Sequence, residues 1–259
     1  FELQDLMSEL ELSCVTLGSS GDGSLFENVT AQSDFETVDC EPDEAASLLY
    51  SSGTTGTPKG IVLSHQNLDA NASVLVDAWG FSSDDVLLHA LPIFHVHGLF
   101  VALGCAFKCG ASMRWLPAYD VVEVRKALAE STVMMGVPTH YVRLLSDPEF
   151  GNRDVKTMRL FVSGSAPLLT ETFEQFEQRT GHRILERYGM TETNMNTSNP
   201  LMGERRPGTV GPPLPGVSVK VVGTSEESVP AGEIGDLLVK GDNVFKTYWQ
   251  LPDKNAESF

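Results

Sequence analysis

Residues 50–60 read YSSGTTGTPKG, in which three glycines, a run of hydroxyls and Lys59 follow the apolar run from Ala45 to Tyr50. Glycine backbone with open N–H groups, hydroxyl donors and an ammonium at the exit is a donor set suited to phosphate oxygens. A flexible linker shares the composition, but it does not need Pro58 and Lys59 fixed at the end, nor a second apolar run, Ile61–Leu63, directly behind it. The spacing is not that of the P-loop of nucleoside triphosphatases, because here Lys59 precedes Gly60 and Ile61 rather than a Ser or Thr.

A second stretch, ERYGMTETNMN over 186–196, joins a glycine at 189 to the Thr191 hydroxyl and the Glu192 carboxylate. A carboxylate of this kind suits a hard cation such as Mg²⁺. The same string also reads as a helix cap, with Thr191 capping and Glu192 at the positive helix end. In GVPTHYVRLL, Arg143 follows His140 by one helical turn among Val137, Val142, Leu144 and Leu145. A guanidinium in such company either pairs with an anion, for which its planar fork suits a carboxylate, or lies on the helix's polar face with its stem packed. His95 and His97 flank Val96 and read equally as structural histidines or pocket residues. Arg205 and Arg206 read as a solvated basic pair, with contact to coenzyme A phosphates as the alternative.

Strands alternating with helices must position these groups. Ser64 is placed to cap a helix running to about Gly80, and DDVLLHALPIF reads as a buried strand ended by Pro92. A helix over Leu99–Cys109, a strand over 111–115, a helix over 121–129, a strand over 132–135 and a helix from Pro138 follow. The unit then recurs as a strand over 158–162, the turn SGSAPL, a helix over 170–180 and a strand around Ile184–Leu185. This alternation predicts a doubly wound α/β sheet over 1–204. From 205 to 259 short segments broken by Pro and Gly, VSVKVV and GDLLVKG, predict a smaller β-rich part. Upstream, residues 3–12 have helical spacing, 14–17 read as a short strand and 18–24 as a turn.

The 259 residues carry a net charge of −17, of which −12 falls in residues 1–50, where there is no Lys or Arg. That balance argues against a nucleic-acid surface without repelling an anion bound farther along. No apolar run reaches the length of a membrane span and no signal-peptide pattern opens the chain. Cys14, Cys40, Cys105 and Cys109 lack metal-ligand spacing and read as buried thiols in a reducing compartment, with Cys105 and Cys109 able to share a helical face. The expected location is the cytoplasm, or the mitochondrial matrix if a targeting segment precedes Phe1.

Taken together, SGTTGTPKG, LPIFHVHG, SGSAPL and YGMTE resemble the acyl-adenylate-forming superfamily of acyl-CoA synthetases, adenylation domains and luciferases. The longer stretches ALPIFHVHGLF, GVPTHYVRLL, RLFVSGSAPLL, ERYGMTETNMNTSNP and PGTVGPPLPGVSVKV resemble the malonyl-CoA synthetases within it. The resemblance implies that Thr54, Thr55, Gly56 and Lys59 hold the β- and γ-phosphates of ATP. It implies that Gly164, Ser165, Ala166, Arg187, Tyr188, Gly189 and Met190 surround adenine and the acyl-phosphate end, with Thr191 on the α-phosphate and Glu192 on Mg²⁺. Thr191, Glu192 and Lys59 are then the catalytic set, and Arg143, Ser165, His95 and His97 the substrate set. Arg143 and Ser165 would meet the distal carboxylate of malonate, with His95 as a pocket wall. The implied reaction joins malonate to coenzyme A through malonyl-AMP, releasing AMP and pyrophosphate.

The resemblance covers about half of a usual member. It implies further α/β layers upstream, and downstream a hinge and a mobile domain bearing the adenylation lysine. The chain by itself is expected not to complete thioester synthesis, and open sheet edges could promote self-association. The alternatives are a ligase for another small acid, an adenylation domain loading a carrier protein, and a non-catalytic nucleotide-binding module.

Overall fold

The computed structural model describes residues 22–27, 36–51, 58–224 and 227–259. The helix expected over 3–12, the strand over 14–17 and most of the turn after it lie outside the described residues, as do Thr54, Thr55 and Gly56. The chain divides into two units, 1–39 and 40–259. The described part of the first holds one short helix, α1 (Ser24–Glu27).

In the second unit, β1 (Ala45–Ser51) and β2 (Lys59–Ser64) pair antiparallel with Ser51 opposite Lys59, so the glycine-rich loop joins two paired strands. Ser64 caps α2 (His65–Trp79): its Oγ accepts the Asn67 N–H while Asn67 Oδ1 accepts the Ser64 N–H. Gly80, at φ 59°, closes that helix in the left-handed conformation.

Next come β3 (Val86–His89), a π-helical turn (His97–Ala102), α3 (Leu103–Cys109), β4 (Ser112–Trp115), α4 (Val121–Leu128), β5 (Val133–Gly136), α5 (Pro138–Ser146), β6 (Leu160–Ser163), α6 (Thr170–Thr180), β7 (Leu185–Met190) and β8 (Asn194–Ser198). The six strands among these form one sheet in the order β4-β3-β5-β6-β7-β8, parallel except for the last antiparallel pair. Strand alternation explains the two layers of helices. Leu87, Val133, Met135, Leu160 and Val162 pack with Leu75, Trp79 and Cys105 from α2 and α3. Leu88, Met134 and Phe161 pack with Val124, Leu128, Tyr141, Leu144, Phe173 and Phe176 from α4, α5 and α6.

The remaining strands are β9 (Ser218–Val222) and β10 (Asp236–Lys240), an antiparallel pair, and β11 (Thr247–Tyr248), which adds to β2 opposite Val62 and Ile61. Helix α7 (Pro252–Ser258) follows. At the amino ends of the parallel strands Asp85 is buried in a closed network. Arg159 reaches its two oxygens at 2.7 and 2.6 Å, Thr132 Oγ1 donates to it at 2.7 Å, and Arg159 also donates to the carbonyls of Trp79 and Gly80.

Several local expectations change. The apolar helix starts with a π turn rather than regular α-helix, and the ERYGMTETN stretch forms a β-hairpin, so its reading as a helix cap falls. Arg205 is not solvated: it is half-buried and donates to the carbonyls of Pro200, Arg183 and Leu201, whereas Arg206 is exposed. Cys40 is exposed rather than buried, while Cys105 is buried and accepts, through its carbonyl, the Cys109 thiol.

Candidate active site

Between β3 and the π turn the chain doubles back through Pro92, and Gly98 is required there because a Cβ would collide with the Pro92 carbonyl oxygen. This close packing places His97 in the interior at 2% exposure. After β6, Ser165 takes a φ of 67°, uncommon for a residue with a side chain, and its Oγ lies 3.2 Å from His97 Nδ1.

The next parallel strand, β7, carries Arg187 into the same region, at 2% exposure. Among the described residues its Nε and Nη2 have no hydrogen-bond partner and it forms no ion pair. Its guanidinium lies against Gly164, where any Cβ would collide with it. Burial pulls Arg187 down to about 10, so it remains cationic at neutral pH. Burial, then the Arg187 charge and the neighbouring histidines, hold His97 well below its ordinary value, so the imidazole is neutral. The cluster is therefore a fixed cation, a neutral imidazole and a hydroxyl.

The β7–β8 hairpin turns at Thr191–Thr193 and buries Glu192 to 8% exposure. Two groups from a distant stretch hold it: the Phe245 N–H donates to its carbonyl at 2.7 Å, and Tyr248 Oη donates to its Oε1 at 3.0 Å. Burial, and then the Glu192 charge, push the Tyr248 phenol up to about 12, so it stays protonated and keeps donating. Lys59 Nζ stands 5.3 Å from the Tyr248 ring centroid. The lysine after the glycine-rich loop and the carboxylate of the second stretch thus meet on opposite parts of one tyrosine.

Two cavities meet at Arg187. One, of about 470 Å³, is walled by Ala166, Pro167, Leu168, Tyr188, Gly208, Val210 and Glu186. The other, of about 210 Å³, is walled by His95, His97, Met190, Thr191, Glu192 and Met195. Ser165, Arg187 and Gly189 line both. The first is largely apolar, with Ser165, Glu186 and Arg187 as its polar groups: Glu186 Oε1 accepts the Leu168 N–H at 3.0 Å and Oε2 has no partner among the described residues. It suits a planar base. The second gathers two hydroxyls, a carboxylate, two imidazoles and a guanidinium, and suits ionic groups.

The structure therefore brings together Gly164, Ser165, Ala166, His95, His97, Arg187, Tyr188, Gly189, Met190, Thr191 and Glu192, with Lys59 linked through Tyr248. It does not place Arg143 in either wall. Arg143 is exposed, its guanidinium 4.8 Å from the Tyr119 ring centroid, and its neighbour Val142 is exposed as well. The apolar surroundings expected for that arginine are absent because α5 buries the stripe His140, Tyr141 and Leu144 instead. Sequence reasoning passed over Glu186 and Tyr248. The first adjoins the Tyr-Gly motif and could have been found there; the second carried no signal of its own.

Glu192 is the one carboxylate lining the smaller cavity, with the Thr191 hydroxyl beside it. Among the described residues there is no group of three His, Cys, Asp or Glu that could hold a metal ion. A single carboxylate and a hydroxyl match the way Mg²⁺ is held when phosphate oxygens and waters complete its shell.

The pattern of the AMP-binding enzyme family matches residues 2–249. A malonate–CoA ligase of Arabidopsis thaliana is 40% identical over 237 residues, which cover 84% of this chain and 38% of that protein. The mitochondrial malonate–CoA ligase ACSF3 of Homo sapiens is 38% identical over 254 residues, covering 84% of this chain and 44% of its own length. The crystal structure of ATP-bound MatB from Rhodopseudomonas palustris superposes with a TM-score of 0.95 at 49% identity, covering 99% of this chain and 52% of that one. The chain thus spans about half or less of each relative. Its parallel sheet, its paired cavities and the match over nearly its whole length agree, and the chain belongs to the AMP-binding enzyme family.

Proposed function

We propose that the protein containing this chain is an ATP-dependent malonate–CoA ligase that works through malonyl-AMP. The observation that carries the substrate assignment is Arg187, a buried cation with unpartnered nitrogens beside Ser165 and His97. A dicarboxylate offers one carboxylate to ATP and leaves the other needing a cation, whereas a fatty chain would find the charge costly. The malonate–CoA ligases and MatB among the relatives support the same reading.

In this reading the apolar cavity receives adenine, with Glu186 facing its rim. Lys59 and the Thr54–Gly56 loop hold the outer phosphates, and Thr191 donates to the α-phosphate. Ser165 and Arg187 hold the distal carboxylate, which aims the near carboxylate at the α-phosphorus. Neutral His97 keeps the Ser165 hydroxyl oriented without adding a second positive charge. Mg²⁺ bound at Glu192 would neutralise phosphate charge. Positioning and charge neutralisation supply most of the rate, since the attack itself needs little covalent help. Coenzyme A then displaces AMP, giving the thioester.

Acid-dependent ATP–pyrophosphate exchange by the full-length gene product tests this, with malonate, methylmalonate, succinate and acetate compared. Exchange favouring malonate over acetate by about a hundredfold is expected from one charge-assisted pair in a dry site. Equal exchange with acetate would remove malonate from the proposal and leave a ligase for another small acid.

A further inference from the structure

We propose that Tyr248 is a positioning residue that holds Glu192 in its working orientation and keeps it apart from Lys59. The inference rests on the reading that Glu192 faces Mg²⁺ and Lys59 faces phosphate, and it concerns a residue outside both motifs. Tyr248 Oη occupies one oxygen of Glu192, at 3.0 Å, which directs the other oxygen away from the phenol. The Phe245 N–H fixes the same residue by its backbone carbonyl at 2.7 Å, so side chain and main chain are held from one short stretch.

Tyr248 is itself anchored well beyond what a two-residue strand would give. Its N–H donates to Asn255 Oδ1 at 2.7 Å, and Asn255 Nδ2 returns to the Tyr248 carbonyl at 3.1 Å and to Thr247 Oγ1 at 2.6 Å. Its ring packs edge-on with Phe245, with centroids 4.7 Å apart, and its backbone pairs with Ile61 on the strand that begins at Lys59. The ring carries the Lys59 ammonium 5.3 Å from its centroid while the hydroxyl engages Glu192. A lysine and a carboxylate left free to meet would pair with each other, and each would then be lost to its ligand. The aromatic body separates them, and cation–π attraction gives the lysine a resting place that phosphate oxygens displace.

The test uses the full-length protein and Tyr248→Phe, which keeps the ring and removes the hydroxyl. Calorimetric titration with Mg·ATP is compared with titration by ATP in EDTA, and malonate KM is measured alongside. Loss of an orienting partner to a metal-binding carboxylate predicts about tenfold weaker Mg·ATP binding, with Mg-free ATP binding and malonate KM unchanged and Tm lowered only by the one lost hydrogen bond. Parallel loss of Tm, malonate KM and both ATP affinities would mean a packing role and overturn the proposal. Wild-type Mg·ATP binding by Tyr248→Phe, when Glu192→Gln weakens it, would overturn the positioning role alone. If Glu192→Gln leaves Mg·ATP binding unchanged, the reading of Glu192 fails first and the positioning role falls with it.

Discussion

Replacing Arg187 by methionine should make the protein more stable and nearly unable to use malonate. Burial lowers this guanidinium from 12.5 to about 10. At about 1.4 kcal/mol per pH unit, that corresponds to roughly 3 kcal/mol of lost charge solvation carried by the folded state. Among the described residues no carboxylate offsets it, and two of its nitrogens are unpartnered. An apolar side chain of similar length removes the charge and keeps most of the packing against Gly164, so a net gain of about 2 kcal/mol is expected. For a domain of this size that raises Tm by roughly 4–8 °C. The same 3 kcal/mol is what a carboxylate docked on Arg187 recovers, so malonate kcat/KM should fall by about a hundredfold while acetate is used no worse. Scanning calorimetry and pyrophosphate exchange on the full-length variant read both effects. A lower Tm with malonate preference intact would refute the reasoning, because Arg187 would then be a satisfied structural cation. Arg143→Leu in parallel separates the two arginines: malonate use that survives it but not Arg187→Met gives the distal carboxylate to Arg187.

Gly164→Ala puts a Cβ into the Arg187 guanidinium, and displacing that group should raise malonate KM by about tenfold in steady-state kinetics of the full-length protein. Burial lowers His140 from 6.5 to about 4, and His97 is lowered well below 6.5 too, so on acidification the unfolded chain takes up protons that the folded one refuses. Stability should therefore fall between pH 6.5 and pH 4 by about 1.4 kcal/mol per pH unit from His140, with His97 adding in the same direction, as read by urea midpoints, and His140→Gln should flatten the slope. Asp85→Ala opens the network with Arg159 and should cost about 3 kcal/mol in the same assay. Burial opposes the Asp85 charge but the Arg159, Thr132 and Ser82 donors outweigh it, lowering its carboxyl, so its contribution persists down through the ordinary carboxylate range and is lost below it.

What was legible in the sequence was what local rules determine. Ser64 and Gly80 bound α2 because capping and left-handed closure need only neighbours. The β-α alternation gave the parallel sheet because buried strands and amphipathic helices differ in period. The π turn at His97 was not legible, since it arises from tertiary packing of Gly98 against Pro92. The apolar surroundings expected for Arg143 are not found because helix rotation, which the string VPTHYVRLL alone does not fix, turns His140, Tyr141 and Leu144 inward and leaves Val142 and Arg143 out. Arg187 sits in a strand of mixed composition, where nothing but the packed structure reveals a buried cation. Tyr248 lies 56 residues from the Glu192 it holds, a separation at which no periodicity speaks.

The two ends of the parallel sheet treat their buried polar groups in opposite ways. At the amino ends, Asp85 before β3, Thr132 before β5 and Arg159 before β6 satisfy one another completely. At the carboxyl ends, His89 on β3, His140 after β5, Ser163 on β6 and both Glu186 and Arg187 on β7 each keep at least one buried polar atom without a partner among the described residues. Arg183 Nε before β7, Ser51 Oγ and Asn243 Oδ1 also lack a hydrogen-bond partner among the described residues, but most of the unmet groups of the parallel strands lie at the carboxyl ends, although each is destabilising by about 1–3 kcal/mol. In parallel α/β sheets the carboxyl ends are where ligands bind. The asymmetry is therefore an independent argument for the location of the site: it uses no motif, and among the residues it picks out is Arg187, which lines both cavities.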